Sequence, residues 1–246
     1  MTAITLTDVV KKYGERTALN DMSLTVERGE LYGLIGDNGA GKTTTIGVIT
    51  GQISRDGGEV TVLGYDPEDD PVDIRSQVGI LPEREEPPSM LTPREYFDFV
   101  GEVREIPEPE LQSRVNEWAG KLDFTGALDT QCMDLSRGQK QMVMLTQAFL
   151  DTPEVVIIDE PLVNLDPTRQ ERVKEALVEY REAGNTIVLS THRMNFAEEL
   201  CTRVAIVRNG KAVKVVKPSS LPEEKSLSDM FTTYTAPLPD LPEDSD

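Results

Sequence analysis

Gly36-Asp37-Asn38-Gly39-Ala40-Gly41-Lys42-Thr43 is the stretch that decides the fold. Residues 31–36 read as a buried strand running into a glycine-rich turn, and residues 41–50 read as a helix. That strand, loop and helix context is what the spacing G-x-x-x-x-G-K-[ST] requires of a phosphate-binding loop. Its glycines let backbone N–H groups converge on phosphate oxygens, and the helix N-terminus adds a favourable dipole. Lys42 can reach the β- and γ-phosphates, and the Thr43 hydroxyl can ligate Mg²⁺, with Thr44 next in the nucleotide-binding set. A glycine turn of purely structural use would not need the Lys-Thr pair.

Val155-Val156-Ile157-Ile158-Asp159-Glu160 supplies the complementary half. An apolar, β-branched run suits a buried parallel strand, and its acidic end delivers Asp159 to a metal's coordination shell. Glu160, one residue on, is placed to polarise a water for attack on the γ-phosphate. These two segments specify a P-loop NTPase. A GTPase is disfavoured because no Asn-Lys-x-Asp run occurs in the chain.

Outward from these segments, residues 4–7 and 24–26 alternate like half-exposed strands, residues 60–63 read as another strand, and residues 66–73 read as an acidic loop with two prolines. Thr92-Pro93-Arg94-Glu95 looks like a helix start. Leu111, Val115, Trp118 and Leu122 then keep helical spacing, so the texture between about 84 and 134 is that of a helical insertion. Residues 169–183 predict a helix, residues 186–190 a buried strand, and residues 204–207 and 212–216 a strand pair around Asn209-Gly210. The pattern is α/β with a helical subdomain in its middle.

Three further segments narrow the class. Leu135-Ser136-Arg137-Gly138-Gln139 closely resembles the LSGGQ signature of the ATP-binding-cassette (ABC) family. Asn164-Leu165-Asp166-Pro167 resembles that family's D-loop, and Ser190-Thr191-His192 its switch-histidine loop. Their order and spacing agree, and the resemblance runs from the first strand to about residue 216. It implies a P-loop NTPase core with a mixed sheet, an N-terminal antiparallel β subdomain and a helical subdomain inserted at about 84–140. Residues 1–220 would form this domain, followed by an acidic, mobile tail over 221–246.

The resemblance also implies roles. Tyr13 matches the aromatic on which adenine stacks. Gly36, Asp37, Asn38, Gly39, Ala40, Gly41, Lys42, Thr43 and Thr44 would hold the phosphates of ATP, and Thr43, Glu83 and Asp159 would hold Mg²⁺. Glu160 and His192, the sole histidine, would be catalytic. Ser136, Gly138 and Gln139 match groups that bind the γ-phosphate of the nucleotide held by a second ATPase subunit, in a head-to-tail dimer with Asp166 and Arg137 at the interface. Two departures stand out. Glu83 occupies the place of a glutamine, and a carboxylate cannot donate as an amide does; Arg137 replaces the first signature glycine.

Composition sets the surroundings. With 25 basic against 44 acidic residues among 246, the formal charge is −19, which argues against a nucleic-acid partner. Only six units of that excess lie in residues 222–246, so the folded body is acidic too; this fits an ordinary solvated acidic surface or, the reading favoured, a chain adapted to high salt. No apolar run approaches the roughly 20 residues of a membrane span, and the N-terminus does not read as a secretory signal. Cys132 and Cys201 have no metal-ligand spacing and read as buried thiols of a reducing compartment. The expected location is cytoplasmic, peripheral on the inner face of the membrane, with a separately encoded permease docking along residues 83–90. Leu-Pro-Glu and the short C-terminus resemble the exporting (ABC-2) branch. The alternative is a soluble ABC ATPase that moves no solute.

Overall fold

Alternating apolar positions in the first 27 residues build a long antiparallel hairpin, β1 (Thr2–Tyr13) and β2 (Arg16–Glu27). Tyr13 and Arg16 are register partners across a two-residue turn whose first position, Gly14, has φ 60, the conformation such a turn favours in glycine. The computed structural model describes residues 1–83, 85–222 and 224–236. β3 (Leu31–Ile35) is buried throughout and leads through the phosphate loop into α1 (Lys42–Ile49). β4 (Gly57–Val62) pairs with β1, closing a three-stranded antiparallel sheet in the order β2-β1-β4.

α2 (Pro71–Gln77) precedes β5 (Val78–Leu81). The acidic loop expected over 66–73 is therefore helical from Pro71 onward, because proline's fixed φ favours a first helical turn and Ile74 is buried beneath it. The helical insertion comprises α3 (Pro93–Val103), α4 (Glu108–Lys121) and the start of α5 (Arg137–Phe149). Thr92 and Glu95 cap α3 reciprocally: the Glu95 N–H donates to Thr92 Oγ1 at 3.2 Å, and the Thr92 N–H to Glu95 Oε2 at 2.8 Å.

β6 (Val155–Asp159), α6 (Pro167–Glu182), β7 (Thr186–Thr191), α7 (Met194–Leu200), β8 (Arg203–Arg208) and β9 (Lys211–Val216) complete the core. The main sheet has the order β5-β6-β7-β3-β8-β9, parallel except for β9. Asn209 and Gly210, at φ 50 and 73, make the tight turn to that antiparallel edge. Trp118 stacks on Phe149 with ring centroids 4.3 Å apart, and Tyr180 meets Phe149 edge-on at 4.7 Å. These rings fasten α4 to α5 and α6 and fix where the signature segment sits.

The tail expectation is corrected over 227–235. α8 (Leu227–Thr235) carries Leu227, Met230, Phe231 and Tyr234 at helical spacing, and these pack against the core with Leu227 fully buried. Arg208 Nη1 donates to the carbonyls of Tyr234 (3.2 Å) and Ala236 (2.8 Å). Burial of the apolar stripe outweighs the local acidity. The rest of that expectation, at 223 and 237–246, lies outside the described residues. Cys132 and Cys201 are both free and buried, and burial pushes the Cys201 thiol up. Among the described residues no helix is long and apolar enough to cross a membrane.

Candidate nucleotide site

The order β6-β7-β3 sets the C-terminal ends of three neighbouring parallel strands side by side, where open α/β sheets carry their ligands. β3 feeds the phosphate loop, β6 ends in Asp159-Glu160, and β7 ends in Thr191-His192. Gly41 has φ 114, and a Cβ there would stand 2.9 Å from the Ala18 carbonyl oxygen. At Gly36 a Cβ would meet the Val207 carbonyl oxygen at 2.5 Å. Both glycines are dictated by close packing as well as by loop shape. Lys42 Nζ is buried and donates to the Gly36 carbonyl (2.7 Å) and the Asp37 carbonyl (3.2 Å), so the loop's own backbone satisfies the cation.

A cavity of about 330 Å³ opens over this loop. Asn38, Gly39, Gly41, Lys42, Thr43 and Thr44 line it together with Glu83, Asp159 and Glu160. Asp159 is buried and accepts a hydrogen bond from the Ser190 hydroxyl. Glu160 is buried in the left-handed region at φ 53. Its carboxylate takes three hydrogen bonds from the end of β7: Thr191 Oγ1 at 3.2 Å, the His192 N–H at 3.1 Å, and His192 Nδ1 at 2.7 Å.

Some expected residues lie apart from this cavity. Ser136, Gly138 and Gln139 sit at the start of α5, where Ser136 and Gln139 cap the helix on each other. Gly138 is pressed against the Asn164 carbonyl, 3.2 Å from its Cβ position, so the signature abuts the D-loop of its own chain. Asp166 caps α6 and pairs with Arg169, whose backbone N–H holds the carboxyl below its usual range. Arg137 lines a second cavity of about 290 Å³ with Lys140 and Asn164, joined to the first through Glu83. Tyr13 is half exposed and does not line the first cavity; Lys11 Nζ lies 5.4 Å from its ring centre.

Sequence reasoning missed five contributors. Arg16 and Ala18 of β2 line the first cavity. Thr191 bridges, donating to Glu160 while accepting the Arg193 N–H at 3.1 Å. Arg193 Nη1 donates to Gln170 Oε1 at 3.0 Å, and Gln170 Nε2 donates to the Leu165 carbonyl at 2.8 Å. A continuous hydrogen-bonded chain thus runs from Glu160 to the segment before Asp166. Thr191 stood inside a quoted segment, but only geometry gives its hydroxyl a partner.

Residues 19–163, more than half of the chain, match the ABC transporter family. The chain belongs to that family. An ABC transporter ATP-binding protein of Methanocaldococcus jannaschii is 32% identical over 85% of this chain and 76% of its own length. The Nod factor export ATP-binding protein I of Rhizobium johnstonii is 33% identical over 91% of this chain and 72% of its own. The solved structure of an ATP-binding subunit of an ABC transporter superposes with a TM-score of 0.88 at 30% identity, covering 95% of this chain and 99% of that one. The ABC ATPase fold expected from the sequence is the fold observed. The chain is an ATP-binding, ATP-hydrolysing ABC transporter subunit, and these relatives fit transport rather than a soluble ATPase that moves no solute.

Proposed function

We propose that this ABC subunit hydrolyses ATP at two composite sites in a head-to-tail dimer and drives solute export through a separately encoded permease. The observation that carries the reading is the Glu160 carboxylate, held by three donors at the wall of the cavity that contains Lys42. On ATP binding, Lys42 exchanges its two carbonyl partners for β- and γ-phosphate oxygens, and the loop N–H groups close on the same phosphates. Glu160 takes the proton of the attacking water. His192 Nδ1 is engaged by Glu160, which leaves Nε2 to meet the γ-phosphate, donating to it when the ring is protonated.

The donor set fits Mg²⁺. Among the described residues no group of three or more metal-ligating side chains would cage an ion, but Mg²⁺ typically uses one or two carboxylates plus substrate phosphates. Thr43, Glu83 and Asp159 line one cavity and would hold it. When bound, it would neutralise charge between the β- and γ-phosphates. The dimer reading is supported by Ser136, Gly138 and Gln139, which stand apart from their own chain's cavity, Ser136 exposed, Gln139 half-buried and Gly138 buried, with Asp166 and Arg137 nearby. Tyr13, half exposed, would stack on adenine.

Docking on a permease at the inner membrane face is supported by Met90, which ends the 83–90 segment, and Met133, 70% and 53% exposed, with the Met133 N–H donating to the Ser89 carbonyl. Export is favoured by the Nod factor relative. The spread of acidic charge favours a high-salt cytoplasm. A tagged copy purified from native membranes with ATP and high salt tests the reading. Co-purification of a multi-span protein supports it, and recovery from the soluble fraction alone contradicts it.

A further inference from the structure

The turn between β1 and β2 carries a cation that none of the quoted sequence segments includes. Arg16 stands opposite Tyr13 in the strand register. Its guanidinium crosses to the phosphate loop, where Nη2 lies 3.3 Å from the position a Cβ on Gly39 would take. It lines the same cavity as Lys42 and Thr43 and is exposed to solvent. Among the described residues no carboxylate pairs with it, although the chain has 44 acids for 25 bases.

Arg75 is likewise exposed with no carboxylate partner among the described residues, so what marks Arg16 is its place against the phosphate loop. Arg16 and the buried Lys42 ammonium are the two cations that line the cavity, beside a loop of converging N–H groups, and its acidic lining is Glu83, Asp159 and Glu160. A phosphate chain seated on the loop would meet both cations. Guanidinium is always charged, and its planar fork matches phosphate oxygens. With a net charge of −19 the whole molecule repels a polyanion, so a second cation at the site raises the local potential where it is needed.

We propose that Arg16 is a nucleotide-binding residue that contacts the phosphate chain alongside Lys42, so that one hairpin turn presents a ring at Tyr13 and a cation at Arg16. This rests on the reading of the cavity as an ATP site. The Arg16 side chain is exposed and has no hydrogen bond or ion pair among the described residues, so its substitution is expected to leave the melting temperature unchanged.

The test is equilibrium binding of ATP and of adenosine to the full chain, comparing wild type, Arg16→Gln, Arg16→Lys and Lys42→Ala. The expected result is a roughly tenfold rise in the Kd for ATP in Arg16→Gln and a flatter dependence on salt, since a screened, charge-assisted contact has gone. Arg16→Lys should fall between, and adenosine binding should not change. Arg16→Gln binding ATP within twofold of wild type, while Lys42→Ala does not bind it, would overturn the role of Arg16 and leave the ATP site standing. An equal loss for adenosine would move Arg16 to the base or ribose and overturn the phosphate contact. Failure of the wild type to bind ATP, with Lys42→Ala indistinguishable from it, would remove the underlying reading itself.

Discussion

Nδ1 of His192 lies 2.7 Å from Oε1 of Glu160, and that same oxygen accepts the His192 backbone N–H at 3.1 Å. Side chain and main chain of one residue therefore converge on one carboxylate oxygen. The carboxylate needs such support because Glu160 has φ 53, where a side chain costs roughly 1–2 kcal/mol. The strain turns it from the end of β6 towards β7 and the cavity. Thr191 holds the second oxygen, so both are fixed before substrate arrives.

His192→Ala removes the ring but keeps the backbone donor. Turnover should fall by about 10²-fold, the scale of a lost positioned proton-transfer or charge-stabilising group. The Kd for ATP should stay within about threefold. Steady-state phosphate release with a parallel binding titration checks this, and a loss confined to binding would be inconsistent with the geometry.

Asp66 and Arg55 give stability an acid limb. Two parallel hydrogen bonds, 2.8 and 2.7 Å, join them, and the Arg55 guanidinium holds the Asp66 carboxyl below its ordinary value of 3.8. A lowered carboxyl value means the contribution is complete above the unfolded-state value and is lost as pH falls through the folded one. Asp66→Asn should be less stable than wild type by about 1 kcal/mol at pH 7, allowing for partial exposure. Denaturant titrations from pH 7 down to about pH 2 should show the difference closing only below roughly pH 4.

Leu227 anchors α8 in the core. Leu227→Ala should destabilise the chain by about 2–3 kcal/mol, read as a Tm lowered by roughly 5–10 °C. A change under about 0.5 kcal/mol would mean that the helix does not dock in solution.

The parts of the site legible in the sequence are those written as short continuous runs. The phosphate loop, Asp159-Glu160 and Ser190-Thr191-His192 each carry chain direction and chemistry within a few residues, and β3, β6 and β7 bring them together with little freedom. Arg16 was not legible, because its approach to Gly39 is set by a hairpin folding back over a loop more than twenty positions later. The path through Arg193 and Gln170 joins α7 to α6 across a tertiary contact that has no local pattern. The tail misled for the opposite reason. Its acids and prolines stand out in the sequence, whereas four apolar residues at helical spacing decide where 227–235 go.

The most direct measurement is phosphate release by wild type and Glu160→Gln, each titrated for ATP affinity in the same buffer. The exchange keeps the size of the side chain and its carbonyl acceptor while removing the charge and the proton-accepting capacity. Glu160→Gln is expected to bind ATP as wild type does and to release phosphate at least about 10²-fold more slowly. Release at the wild-type rate would contradict the assignment of Glu160.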